Sequence, residues 1–173
     1  TDSANYNAVA ATTVSLTVNQ ASQTISFGAL ADKTYGDAAF SVSATASSGL
    51  APAFSIVSGP ATISGSTVTI TGTGTVTVRA TQAGNVNYLE ATAVDQSFTV
   101  AKATPLITWT TPAAITYGTA LSLTQLNATA NIPGTFTYAP ASGTVLSGGT
   151  QTLSADFTPP DAANYNAVVA TTV

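Results

Sequence analysis

Thr75-Val76-Thr77-Val78-Arg79-Ala80 alternates apolar and polar residues with a period of two. A β-strand turns successive side chains to opposite faces, so Val76, Val78 and Ala80 share one face while Thr75, Thr77 and Arg79 share the other. A helix cannot sort that pattern, because its neighbours on one face lie three and four residues apart. The stretch therefore predicts a strand with one buried side. Working outward, the same alternation runs through Ala39-Phe40-Ser41-Val42-Ser43-Ala44, Phe54-Ser55-Ile56, Thr67-Val68-Thr69-Ile70 and Ser97-Phe98-Thr99-Val100, then through Phe136-Thr137-Tyr138 and Thr152-Leu153-Ser154-Ala155-Asp156-Phe157. Turn signals separate these runs, among them Ser48-Gly49, Ser58-Gly59-Pro60, Gly72-Thr73-Gly74, Pro133-Gly134 and Ser142-Gly143. Short strands with turns roughly every eight to twelve residues predict an all-β chain of β-sandwich character. Ala120-Leu121-Ser122-Leu123-Thr124-Gln125-Leu126-Asn127 reads less clearly. It is able to wind into a helical turn, which keeps a β-grasp-like variant open for the second module.

Composition supports strands and narrows the chemistry. Of 173 residues, 45% are hydrophobic and only 6% charged, against about 25% charged in an average soluble protein. Thr, Ser, Asn, Gln and Gly must therefore cover the outside, and Thr suits a strand because its branched Cβ fits the pleat. There is no Cys, His or Met. Thiolate zinc sites and disulfides are excluded, as is the commonest neutral-pH base, so neither an enzyme nor a cofactor is expected. Three basic against seven acidic residues give a net charge of −4, a poor match for phosphates. Nucleic acid and membrane surfaces are not expected partners. No apolar run reaches membrane-helix length and no signal peptide is visible; targeting signals are expected elsewhere in a longer parent.

Two nested repeats organise the chain. Asp2-Ser3-Ala4-Asn5-Tyr6-Asn7-Ala8-Val9-Ala10-Ala11-Thr12-Thr13-Val14 returns almost unchanged at residues 161–173, with Tyr165 lying 159 positions after Tyr6 (165 − 6). This predicts a parent that repeats with that period. Inside the period, Lys33-Thr34-Tyr35-Gly36-Asp37 is echoed by Ile115-Thr116-Tyr117-Gly118-Thr119, and Asn87-Tyr88 by Asn164-Tyr165. The expected organisation is the end of a preceding module over 1–20, module A over 21–102 and module B over 103–173. Ser15-Leu16-Thr17-Val18 follows the first copy of the long repeat and has no counterpart after the second, so module B is expected to lack its final strand. Modules A and B join through Val100-Ala101-Lys102-Ala103-Thr104-Pro105-Leu106 with no flexible linker, which predicts a semi-rigid rod.

Module A contains Gln23-Thr24-Ile25-Ser26-Phe27, Thr34-Tyr35-Gly36-Asp37, Ser58-Gly59-Pro60-Ala61-Thr62-Ile63-Ser64-Gly65 and Ala83-Gly84-Asn85-Val86-Asn87-Tyr88. On these residues it resembles the bacterial Ig-like and YDG/MBG-type tandem repeats of large cell-surface adhesin-like proteins. Module B, with Ile107-Thr108-Trp109, Ile115-Thr116-Tyr117-Gly118-Thr119, Leu126-Asn127-Ala128-Thr129-Ala130 and Ala163-Asn164-Tyr165, looks like their sister repeat. The resemblance covers nearly the whole chain. It implies an extracellular bacterial location on a cell surface or surface filament, a stalk role, and no activity.

Individual residues carry competing readings. Tyr88 and Tyr165 follow Asn-rich turns and are expected to serve as structural anchors resembling the tyrosine corner, with carbohydrate stacking as the alternative. Tyr35 and Tyr117, each before a Gly, are expected to fix a bend after the opening strand, and Trp109 to sit in the core or at a module interface. Asp37 and Asp95 are the candidate calcium ligands, although no run of the Asp-x-Asp-x-Asp-Gly kind accompanies them. Lys33 and Lys102 are the only lysines able to form an isopeptide link, and Asn127-Ala128-Thr129 is a glycosylation sequon read as strand surface. Seven dispersed acids argue against a glycosidase pair.

The leading functional expectation is a non-catalytic spacer, stalk or filament-forming repeat whose partners are neighbouring copies of itself. One alternative is a head-to-tail fibre in which Ser15, Leu16, Thr17 and Val18 of one subunit complete the module B of another. A further alternative is an adhesive or carbohydrate-binding module whose glycan or protein ligand the sequence does not name.

Overall fold

The computed structural model describes residues 9–173; the beginning of the expected preceding-module segment, residues 1–8, lies outside the described residues. Among the described residues the chain is all-β, with no helix. Strands β1 (Ile25–Phe27), β2 (Lys33–Thr34), β3 (Phe40–Ser41), β4 (Ala44–Ala46), β5 (Ala53–Ser58), β6 (Ala61–Ser64), β7 (Thr67–Ile70), β8 (Gly74–Thr81) and β9 (Val94–Ala101) occupy the first half. They form a four-stranded sheet in the order β2-β9-β8-β5, a three-stranded sheet β3-β7-β6 and a β1-β4 pair. The pairings are antiparallel except for β2, which runs parallel to the end of β9. Ala39–Ala44, which alternates like one strand, divides between two sheets. Phe40 pairs with Val68 and Ala44 with Phe27, while the Val42 N–H donates to the Ser66 carbonyl between them.

The opening alternation sorts as its period requires. Val76, Val78 and Ala80 of β8 are buried with Phe98 and Val100 of β9, and Val68 of β7 and Phe27 of β1 meet them from the facing strands. Phe40 lies edge-on to Phe98 with ring centroids 5.4 Å apart, and Phe27 packs on Phe54 at 5.6 Å. Such tilted aromatic pairs add to the area they bury. On the outer face of β8, Thr77 hydrogen-bonds Ser97 (2.9 Å) and Arg79 grips Asp95 with two bonds of 2.7 and 2.8 Å, each pair directly opposite in register. Sheets sharing one apolar interior and hydrated outside by hydroxyls have the character of a β-sandwich.

The second half is sparser. Strands β10 (Ile107–Thr108) and β11 (Thr129–Ala130) form one pair, and β12 (Thr135–Ala139), β13 (Ser154–Thr158) and β14 (Val168–Thr172) form a three-stranded antiparallel sheet. Phe157 is buried against Phe136, with centroids 4.9 Å apart. Leu121, Leu126 and Leu153 make a separate cluster with Trp109, Tyr138, Leu146 and Val173. The helix that a β-grasp-like variant requires does not form. Residues 120–127 make one turn, closed by the Leu126 N–H on the Ser122 carbonyl (2.9 Å), with the Gln125 side chain folded back onto the Ser122 N–H (3.1 Å). The Ser122 hydroxyl also accepts the Thr124 N–H (3.3 Å), the local competition for the backbone that makes Ser favour turns over helix interiors.

Two outcomes follow from this packing. Phe98→Ala is expected to destabilise the first half by about 3–5 kcal/mol, the usual cost of emptying an aromatic core site, measured by chemical denaturation. Burial raises the Tyr138 phenol above its ordinary range, partly opposed by a bond from the Ala128 backbone. Its stabilising contribution is therefore complete below the unfolded value, near about pH 10, and is lost as pH rises through the folded value. Tyr138→Phe should flatten the fall in melting temperature between about pH 9 and 11 relative to the parent protein.

Candidate functional site

Each half begins with the same clamp. The Ala21 N–H donates to the Asn87 carbonyl (2.8 Å) and the Ala21 carbonyl accepts from Leu89 (2.9 Å); Ala103 repeats this with the Asn164 carbonyl (3.0 Å) and the Asn166 N–H (2.8 Å). The residue before each alanine reaches the same turn with its side chain. Gln20 Nε2 donates to the Asn85 carbonyl and Lys102 Nζ to the Ala162 carbonyl, both at 2.6 Å. Asn85 and Ala162 each lie three residues before the repeated tyrosine. The chain thus enters each half already fastened to the turn carrying Tyr88 or Tyr165.

That turn also reaches backward across the junction. Asp161 closes it by accepting the Asn164 N–H (3.2 Å) and amide side chain (2.9 Å), and Tyr165 N–H donates to the Asp161 carbonyl (3.0 Å). Asn164 Oδ1 is left to accept the Thr73 N–H (3.0 Å) in the first half, and the Thr73 hydroxyl donates to the Ala163 carbonyl (2.9 Å). Tyr165 stands edge-on against Tyr35, with centroids 5.4 Å apart and an interplanar angle of 88°. Tyr165 is thus seated against the ring of Tyr35. Tyr88 tops the equivalent turn, where Asn85 Oδ1 accepts the N–H groups of Asn87 and Tyr88 (2.8 and 3.0 Å).

The paired motifs Tyr35-Gly36 and Tyr117-Gly118 end in different surroundings. The Tyr35 N–H donates to the Ala101 carbonyl (2.9 Å), extending the β2–β9 pairing. Tyr117 is 79% exposed, and Ile115-Thr116 belongs to no strand. It lies on a groove of about 230 Å³ lined by Ile115, Tyr117, Leu146, Gly149, Leu153 and Val173 among others. Trp109 belongs to the core: its Nε1 donates to the Gln125 carbonyl (3.0 Å) and its ring packs on Tyr138 at 5.4 Å.

The remaining candidates are occupied with local structure. Asp37 Oδ2 accepts the Thr34 N–H (2.9 Å), and Asp95 is paired with Arg79. That hydrogen-bonded pairing lowers the Asp95 carboxyl and raises the Arg79 guanidinium. Among the described residues no three acidic, His or Cys side chains gather as a metal site. Lys33 Nζ sits 4.7 Å from the centre of the Phe40 ring, and Asn127 Nδ2 donates to the Thr124 carbonyl (3.2 Å). Leu16 and Val18 are 88% and 84% exposed, and no strand forms over residues 9–20. Among the described residues no helix is long and apolar enough to cross a membrane. Comparisons with protein-family models, with curated proteins and with solved structures return no match.

Gln20, Thr73 and Gly149 were not singled out by sequence reading, and Lys102 was weighed only as a donor for an isopeptide link. The signal was present as offset: counting from the repeated tyrosines aligns Gln20 with Lys102, whereas Gly72-Thr73-Gly74 reads as a turn alone. Asn164→Ala removes the acceptor of Thr73 and is expected to uncouple the two halves by about 1 kcal/mol. Residual dipolar couplings should then report greater independent motion of the halves, while hydrogen-exchange protection within β8 and β13 stays unchanged.

Proposed function

We propose that the chain is a structural repeat: tandem immunoglobulin-like modules that give length and stiffness to an extracellular bacterial surface protein or filament, without catalysis. The observation that carries this reading is the junction. Lys102, Ala103 and Asn164 tie the two halves together within two residues of the end of β9, so the connection has no free linker to bend. The clamp at Gln20-Ala21 has the same geometry, which supports repetition of one joint along a longer array. The near-identity of residues 2–14 and 161–173 supports it from the sequence, as does the resemblance to adhesin-like surface repeats. A hydroxyl-rich, weakly charged exterior suits a spacer that must not adhere to its neighbours through charge.

Stiffness of this kind is measurable on the isolated chain. Small-angle scattering of the monomer is expected to give an elongated particle with a narrow distribution of maximum dimension, unchanged between low and high salt. A compact sphere, or a broad distribution typical of freely jointed beads, would count against the reading.

A further inference from the structure

We propose that the first half is a tension-bearing unit, in which a pull along the chain is taken in shear between residues 21–34 and residues 88–101. The inference rests on the structural-repeat reading, because a repeat within a stalk or filament transmits such a pull, and it adds a mechanical role to length and stiffness. It concerns the first half because the chain continues on both sides of it, through residues 9–20 and 103–173.

The two segments run side by side in the same direction. Ala21 bridges Tyr88 in parallel, and β2 pairs in parallel with the end of β9 through Lys33–Val100 and Thr34–Ala101. Asp32 Oδ1 accepts the Thr99 N–H (2.6 Å) between these points. In all four cases the partner lies 67 residues on (88 − 21, 99 − 32, 100 − 33, 101 − 34). One register therefore holds from the entry of the first half to its exit. In the middle of this line β1 pairs its backbone with β4, and side chains take over the crossing. Gln23 Nε2 donates to the Leu89 carbonyl (2.7 Å) and Gln96 Nε2 to the Phe27 carbonyl (2.8 Å). Gln23 is only 7% exposed, and its Oε1 accepts from the Ser48 hydroxyl, so both ends of the buried amide are bonded.

This geometry fixes how tension enters. Ala21 is held where the β8–β9 hairpin turns, beyond the start of β9: the Ala91 N–H still donates to the Gln82 carbonyl (2.9 Å), and the Asn85 N–H to the Tyr88 carbonyl (2.9 Å). Ala101 is the last residue of β9. The points at which the neighbouring segments pull thus lie at opposite ends of a line along β9, which alone covers about 26 Å at about 3.3 Å per residue. Tension draws residue 21 backward and residue 101 forward, so the parallel segments must slide past one another. The ladder from Gly74–Val100 to Ala80–Val94 holds β9 on its other side and must slide as well, carrying Phe98 and Val100 out of the interior. Hydrogen bonds in a sheet lie across the strands, so sliding loads them together. Peeling a strand from one end breaks them one at a time.

Force spectroscopy on the full chain tests this, and because the protein has no cysteine, two introduced thiols define the pulling points. Asn19→Cys with Ala101→Cys loads the first half from opposite ends, and Asn19→Cys with Val86→Cys loads it from one end. All three positions are exposed, and the second half lies off the path of force in both arrangements. The opposite-end pair is expected to unfold at a several-fold higher force than the same-end pair. Asp32→Ala and Gln96→Ala should each lower the opposite-end force and leave the same-end force unchanged, since peeling starts at Ala21–Tyr88 before either bond is reached. Asp32→Asn keeps the Oδ1 acceptor and should keep the parent's force. Equal forces in the two geometries overturn the proposal. So does a double variant, Asp32→Ala with Gln96→Ala, that keeps its fold by circular dichroism and still holds the parent's opposite-end force. If the double variant fails to fold, the two geometries compared in the parent sequence decide the matter alone. Either failure leaves the structural-repeat reading standing if scattering still shows an elongated particle, and a compact particle overturns that reading whatever the forces are.

Discussion

The ladder between β8 and β9 is the constraint on which the first half depends. Among the described residues it is the longest continuous pairing, running from Gly74–Val100 to Ala80–Val94. Its inward side chains supply Val76, Val78, Ala80, Phe98 and Val100, which are most of the buried cluster. β5 and β2 add to its two edges, and the facing strands reach the core by packing on it. Because side chains on a strand alternate, a slip of one residue would turn every one of these groups outward and bring Thr75, Thr77, Arg79 and Asp95 inside. Arg79–Asp95 and Thr77–Ser97 sit opposite one another only in the observed register. Both are exposed and add little net stability, but they favour one alignment over its neighbours.

The second half shows what changes when such a ladder is shorter. β13 pairs with β14 at three positions, with a register shift between Ala155 and Phe157, and the strands corresponding to β2, β3, β6 and β7 are not formed among the described residues. Its apolar side chains divide between Phe136–Phe157 and the Leu121–Leu126–Leu153 cluster, where the first half has one continuous interior. The two halves share a plan through matched glycines, matched clamps and matched tyrosines, yet they differ in how much interior they close. Strand length decides that difference, because each added pair in a ladder buries another inward side chain.

Much of this organisation was legible in the residues. Strict alternation placed β5, β7, β8, β9, β12 and β13, since a period of two admits no other regular structure. The opening strand of each half and Ala39–Ala44 were harder: β1, β3 and β4 are only two or three residues long, and a short apolar run does not reveal which sheet it joins. Leu121–Leu126 carried helical spacing but folded as a turn, because the Ser122 and Gln125 side chains bind the local backbone. Tyr35 and Tyr117 share a motif and differ in burial, which no local pattern could express.

The amino-acid order by itself determined the strand character, the buried face of each long strand, the two nested repeats and the lack of thiol and imidazole chemistry. Those properties are set within a few neighbouring residues or by composition. Only the tertiary structure decided that Asn164 reaches Thr73, that Tyr165 rests on Tyr35, that Gln20 and Lys102 are equivalent clamps, and that Ile115 and Leu153 line one groove. Each of those depends on residues far apart in sequence meeting at a sheet edge, and such meetings are fixed by how sheets pair and pack.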